Sequence, residues 1–347
     1  MRFSIKYLLP IVGPTMCSIS SAPCLSVSLC WLSHSCAQVC TCSVSLIRFP
    51  KLPFAMRYWV VSFLFLFLCL GTSAQKKPVS VIITAGQSNT DGRVSNNHLP
   101  DYIKKKGYRH CLWSYGSDTI SGGGHFEPFW PRVARPDNKE RWGYDAIVYY
   151  LIDRHAKRDF YVIKESLGGT AIDTACASNN GMYWNASPGF LAANAAADKG
   201  GKSLLKAFTE NIGACIDNEL SRHKNGFEIK AFLWHQGESD KKMAAHYYDN
   251  LKAVVAYVRA YLVGKTGDSR YAHLPFICGT FSYQSRVRSE EIVSALHRLA
   301  AEDPNFHVVD ASDATLQSDR LHFDAQGAEL LGRRVYERLV QVAGKIR

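Results

Sequence analysis

Apolar residues in this chain fall into short unbroken runs, separated by stretches that repeat with a helical period. Val79 to Ala85 is the first clear run, β-branched and apolar, closed by Gly86. Runs from Phe160 to Lys164, Phe227 to Trp234, Pro275 to Phe281 and Phe306 to Asp310 follow it. Such runs read as strands buried on both faces. Between them, 143–158, 202–223, 244–263 and 289–302 carry apolar positions three and four apart, the signature of amphipathic helices. A last helix is expected to begin at Asp324, as its N-cap, and to run to about Lys345. Strand and helix alternating in this way predict one α/β domain, a doubly wound three-layer sandwich around a five-stranded parallel, flavodoxin-like sheet.

Two stretches break the rhythm. Residues 90–142 are rich in Gly, Pro, Trp and Tyr, with Cys111 to Tyr115 as a candidate extra strand and Gly122-Gly123-Gly124 as a turn. Residues 175–200 are small-residue-rich and irregular. Loops this long in a compact domain usually serve function. The aromatics Trp113, Phe126, Phe129, Trp130 and Trp142 offer either a sugar-binding wall or, for most of them, a small satellite core.

The front of the chain has a different composition. Residues 1–55 contain no Asp or Glu and hold six of the eleven cysteines. Met56-Arg57-Tyr58 then leads into an apolar stretch from Trp59 to Leu70, closed by Gly71-Thr72-Ser73-Ala74. A basic start, a short apolar core and small residues at the end are the parts of a secretory signal peptide, too short for a membrane-spanning helix. The expected organisation is therefore an over-extended start at 1–55, a signal peptide at 56–74 and one folded domain at 75–347, with export to the periplasm or the extracellular space. The residue before Cys69 is Leu68, where a lipid-attachment site requires a small residue, so a lipoprotein is not expected. N-terminal sequencing of the secreted protein is expected to return Gln75; a mature chain that retains residues 1–55 would overturn the assignment.

Charge narrows the class further. The formal net charge is +11, and removing Arg2, Lys6, Arg48, Lys51 and Arg57 with the first 74 residues leaves +6. The remaining basic residues are scattered, with Lys104-Lys105-Lys106 as the one run. A nucleic-acid surface needs a clustered patch with interleaved aromatics, so no nucleic-acid partner is expected. Of the cysteines past residue 75 (Cys111, Cys176, Cys215 and Cys278), no two have metal-pair spacing, and no metal or cofactor is implied. Their pairing is not readable, and neither is the oligomeric state.

The unusual polar residues lie just past strand ends. Gly86-Gln87-Ser88-Asn89 follows the first strand, Gly168-Gly169 the second, and Trp234-His235-Gln236-Gly237-Glu238 the third. Asp319-Arg320-Leu321-His322 follows the last. In a parallel sheet the carboxyl ends share one edge, so four segments converge there. A serine becomes a useful nucleophile only when a base removes its proton, and histidine is the usual base. Asp319, three residues before His322, is placed to fix the ring, with Glu238 as a rival acid or a loop brace. The backbone N–H of Ser88, a backbone N–H of Gly168 or Gly169, and the Gln236 side-chain amide are the candidate donors to an oxyanion. Gln87, Asn89, Trp234 and His235 read as packing and supporting groups.

With these motifs the chain resembles the SGNH (GDSL-like) hydrolases, in particular their sialate O-acetylesterase and acetylxylan esterase branch. The likeness spans about 79–345. It departs from the wider superfamily in having Gln236 where many members carry asparagine, and in lacking a Gly-Asp-Ser nucleophile block. The resemblance implies a cofactor-free serine esterase that removes acetyl groups from carbohydrate hydroxyls, with Ser88, His322 and Asp319 as catalytic residues. The alternatives are a carbohydrate-binding protein that kept the fold without the chemistry, or another SGNH acyl hydrolase such as a lipase or thioesterase.

Overall fold

The computed structural model describes residues 77–346, apart from 117–122 and 134–138. The over-extended start and the signal peptide expected at 1–74 lie outside the described residues, as does Gly122. Gln75–Arg347 forms one compact unit. Its strands are β1 (Val79–Gly86), β2 (Cys111–Tyr115), β3 (Glu127–Pro128), β4 (Phe160–Ser166), β5 (Phe227–His235), β6 (Phe276–Gly279) and β7 (Phe306–Val309). They form one sheet in the order β3-β2-β4-β1-β5-β6-β7. Every neighbouring pair is parallel except β2 with β3.

The helices are α1 (Ser88–Asp91), α2 (Asp101–Lys106), α3 (Tyr144–His155), α4 (Pro188–Ala193), α5 (Leu204–Asn218), α6 (Tyr247–Thr266), α7 (Glu290–Glu302) and α8 (Ala325–Ala343). The three-layer α/β expectation holds, and β1 shows why. Val81, Ile83 and Ala85 face a core shared with α5, α6 and α7. Ile82 faces the opposite core, built from α3 and α8. A central strand covered on both sides has no polar face to alternate, so it reads as a continuous apolar run.

The sheet is two strands wider than the expected five. Cys111 to Tyr115 is a true parallel strand beside β4, and the two-residue β3 adds an antiparallel edge, where Pro128 withholds no ladder hydrogen bond the sheet needs. The 90–142 stretch is less irregular than its composition suggests, since it also holds α2 behind Pro100. Trp113, Phe129 and Trp142 belong to the main core on the α3/α8 side, so they form neither a sugar wall nor a satellite core. Phe126 packs edge-on against Tyr161 on the other side of the sheet, and Trp130 stays exposed. Asp324 caps α8 as expected, its carboxylate accepting from the Gly327 N–H at 2.8 Å.

The four cysteines in this unit are buried free thiols. Among the described residues no helix is long and apolar enough to cross a membrane.

The topology fixes where chemistry can sit. After β1 the chain builds β2, β3 and β4 on one side of it, then β5, β6 and β7 on the other. The order therefore reverses at β1. A crevice opens beyond the carboxyl ends of strands at such a reversal. Ser88, Gly168 and Gln236 leave the sheet from β1 and its two neighbours, β4 and β5.

Candidate active site

The turn that carries Ser88 is set by Gly86. Its φ is +154°, and a Cβ there would stand 2.3 Å from the His235 carbonyl oxygen and 2.4 Å from Thr90 Oγ1. No other residue fits that approach. The chain then enters α1, whose first turn leaves the Ser88 backbone N–H without an intrahelical acceptor. Gln87 ties this turn to the β5 loop: its N–H donates to the His235 carbonyl at 3.1 Å. Its side-chain Oε1 accepts from the Gly237 and Ser239 N–H groups.

The His322 loop approaches from the far end of the sheet. Arg320 adopts a left-handed backbone, φ +53°, which folds the loop back on itself. Asp319 then accepts from the Leu321 and His322 N–H groups through Oδ1, at 2.9 and 3.0 Å, and meets His322 Nδ1 through Oδ2 at 2.6 Å. His322 Nε2 lies 3.0 Å from Ser88 Oγ. With Nδ1–H donated to the carboxylate, Nε2 is the nitrogen left to accept the hydroxyl proton. Partial burial pushes the Asp319 carboxyl upward, but the two backbone N–H groups and the His322 ring outweigh it and hold it below the usual carboxylate range. It therefore stays ionised at pH values where an ordinary aspartate begins to protonate.

Glu238, the rival acid, points elsewhere. Its Oε1 accepts from Asn89 Nδ2 at 2.8 Å, and His235 Nε2 stands 3.3 Å away. Burial pushes Glu238 upward, but the adjacent His235 and its hydrogen bonds bring it below the usual range. Asn89 in turn holds the histidine loop on both sides of His322. Its Oδ1 accepts from the Phe323 N–H at 3.0 Å, and its Nδ2 reaches the Leu321 carbonyl at 3.4 Å. The His235 ring packs on Phe323, 5.3 Å between centroids. Glu238, Asn89 and His235 therefore brace the loop that carries His322, and Asp319 is the carboxylate that reaches its ring.

The candidate oxyanion donors are placed differently around Ser88. Gly168 is buried with its Cα against the nucleophile: a Cβ there would lie 3.3 Å from Ser88 Cβ. Gly169, at φ +73°, is exposed. The Gln236 side chain is already hydrogen-bonded. Its Nε2 donates to the Thr170 carbonyl at 3.0 Å and to Asp240 Oδ2, which engages both amide hydrogens. Burial pushes Asp240 up to about 6. Gln236 thus joins the β4 and β5 loops through its side chain.

Three comparisons bear on this arrangement. Residues 193–341 match the family described as "Carbohydrate esterase, sialic acid-specific acetylesterase". That stretch includes Gln236, Glu238, Asp319 and His322, and it begins well after Ser88. The protein is a carboxylic ester hydrolase. The family match supports O-acetyl ester hydrolysis as its reaction. Among solved structures, the esterase is similar to a protein from Arabidopsis thaliana (20% identity, 76% of this chain and 98% of that one, TM-score 0.52). It is also similar to NanS (15%, 76% and 98%, TM-score 0.51). A third, XAC1771 from Xanthomonas citri, described as a carbohydrate acetylesterase, shares 14% identity over 76% of this chain and 56% of that one, TM-score 0.51. At these identities the likeness concerns the fold. No curated protein matches the esterase in sequence.

Beside Ser88 and His322 the esterase opens a groove of about 820 Å³, walled by Arg93, His98, Arg141, Gln317 and Gln326. That is room for a sugar and its substituents. Among the described residues no group of three or more His, Cys, Asp and Glu is placed to hold a metal ion. Arg93 on this wall was not among the residues the sequence singled out. The signal was present, a cation five residues after Ser88 and directly after Gly92, but spacing alone does not say that the chain turns it back toward the serine.

Proposed function

We propose that this esterase removes O-acetyl groups from carbohydrates by a two-step acyl transfer on Ser88. His322 is the base, Asp319 orients it, and the Ser88 and Gly168 N–H groups receive the oxyanion. The observation that carries the reading is the unbroken chain from Asp319 Oδ2 through the His322 ring to Ser88 Oγ, at 2.6 and 3.0 Å. Those are hydrogen-bond distances in the order that nucleophilic catalysis requires.

In the first step Ser88 Oγ bonds to the acetyl carbonyl carbon while its proton passes to His322 Nε2. The carbonyl π pair moves onto oxygen. Collapse of that intermediate releases the sugar alcohol, protonated by His322. Water then repeats the sequence against the acetyl-serine and frees acetate. The groove beside the pair, walled by polar and charged side chains rather than a broad apolar face, favours a sugar over a lipid.

Acetate release from O-acetylated sialic acids, acetylated xylan oligomers and a generic acetyl ester tests the proposal. Release from at least one acetylated glycan, with Ser88 labelled by a fluorophosphonate, is expected. A folded protein that releases no acetate from any of these and takes up no label would refute the proposal and favour a carbohydrate-binding role. Hydrolysis confined to long-chain lipid esters would favour the lipase reading.

A further inference from the structure

Gly168 is buried, yet among the described residues nothing accepts its backbone N–H. A buried amide without a partner is costly and uncommon. Here its Cα faces the nucleophile, since a Cβ on Gly168 would lie 3.3 Å from Ser88 Cβ. The direction of that N–H is set on the other side of the same peptide. In a trans peptide the carbonyl of one residue and the N–H of the next point opposite ways in one rigid plane. Whatever fixes the Leu167 carbonyl therefore fixes the Gly168 N–H.

Thr170 does so. Its buried hydroxyl donates to the Leu167 carbonyl at 2.7 Å. The indole N–H of Trp184, also buried, donates to Thr170 Oγ1 at 3.0 Å. An indole nitrogen can only donate, so it takes an oxygen lone pair and leaves the single hydroxyl proton to Leu167. The following peptides are held separately. Asn179 Nδ2 donates to the Gly168 carbonyl at 2.9 Å, and the Asn179 N–H to the Gly169 carbonyl at 2.8 Å. Thr170 is anchored through its backbone as well, its carbonyl accepting from Gln236 Nε2 at 3.0 Å. The side chain of Thr170 thus closes the Gly168-Gly169 turn from a fixed position.

We infer that Thr170 is a positioning residue of this esterase: its hydroxyl, set by Trp184, holds the Leu167–Gly168 peptide so that the Gly168 N–H meets the oxyanion formed on the acyl carbon. This rests on Ser88 being the nucleophile and Gly168 one of the donors. Thr170 touches no reacting atom. It aims the donor before charge develops, so little reorganisation accompanies the carbonyl pair as it moves onto oxygen. A role in turn stability alone would leave the N–H direction to Asn179 and the glycines, and its loss would slow every ester alike.

The test compares the full chain with Thr170→Val and Thr170→Ser on 4-nitrophenyl acetate and on its thiono analogue, in which sulfur replaces the carbonyl oxygen. The rate at which a fluorophosphonate labels Ser88 is read beside them. Thiocarbonyl sulfur accepts hydrogen bonds weakly, so turnover of the thiono ester depends little on an aimed N–H. For Thr170→Val, kcat on the oxygen ester should fall about 10²-fold. KM should change little, labelling should slow in parallel, and thiono-ester turnover should fall much less. Thr170→Ser keeps the hydroxyl and should retain most of the parent rate. Thr170→Ala removes the same donor without setting a methyl against two polar groups, and it gives the same readout if Thr170→Val does not fold. Equal losses on the two esters would reduce Thr170 to a structural role and overturn the inference. So would an unchanged kcat in folded Thr170→Val or Thr170→Ala. If the parent chain labels at Ser88 and Thr170→Val selectively slows the oxygen ester while no acetylated sugar is hydrolysed, Thr170 is upheld and the carbohydrate reading fails. No labelling of the parent chain would overturn both.

Discussion

Ser88→Ala is expected to lower acetyl-ester turnover by roughly 10⁴–10⁶-fold, because nucleophile, base and orienting acid act as a unit and removing one disables the rest. The fold should not notice. The Ser88 hydroxyl is bonded to His322 Nε2, and the His322 side chain is 18% exposed, so water can take over the freed nitrogen. The loss in stability should stay within about 1 kcal/mol. The oxyanion donors remain, so a small residual rate above water is consistent with the mechanism. Steady-state turnover on a generic acetyl ester, read beside the melting temperature, decides it. A variant that melts like the parent and keeps more than about a tenth of its turnover would remove Ser88 from the mechanism.

The parts of this site that were legible in the sequence are those dictated by the backbone. Buried parallel strands have to be written as apolar runs, so β1, β4 and β5 stand out, and with them the edge where Ser88, Gly168 and Gln236 emerge. Asp319 and His322 were readable because a three-residue spacing lets a carboxylate fold back on a ring. Side-chain direction was not readable. Gln236 sits at the right strand end, yet its amide faces Thr170 and Asp240. Asp240 has no local signal that it will be buried under the loop from β4. Gly168 and Gly169 are adjacent in sequence and diverge because only Gly169 takes a positive φ. The direction of Arg93 was hidden for the same reason: it is held by Asp91, which Tyr115 contacts from a strand outside the five that periodicity alone defines.

Lys164 shows the same limit and carries the second large effect. Its charge makes it look like the end of a strand, but β4 continues through Glu165 to Ser166, and all three are buried. The burial is possible because Lys164 Nζ meets Asp145 Oδ2 at 2.7 Å, with side chains 4% and 2% exposed. The ammonium also lies 5.3 Å from the Tyr115 ring, the residue that fixes Asp91 behind Arg93. Lys164→Met leaves the Asp145 carboxylate buried without its partner, which should cost about 3–5 kcal/mol. For a domain of this size that corresponds to a fall in melting temperature on the order of 10 °C. Replacing both partners with apolar residues, Lys164→Met with Asp145→Leu, removes the orphaned charge and should recover much of the loss, since a buried pair is often no more stabilising than a well-packed apolar one. A double-mutant cycle in chemical denaturation separates the two contributions. If Lys164→Met melts within about 2 °C of the parent, well under the shift that a 3–5 kcal/mol loss would produce, the pair is not buried as described. If the double variant is as unstable as the sum of the two singles, the loss comes from packing around β4 and α3 rather than from an unpaired charge.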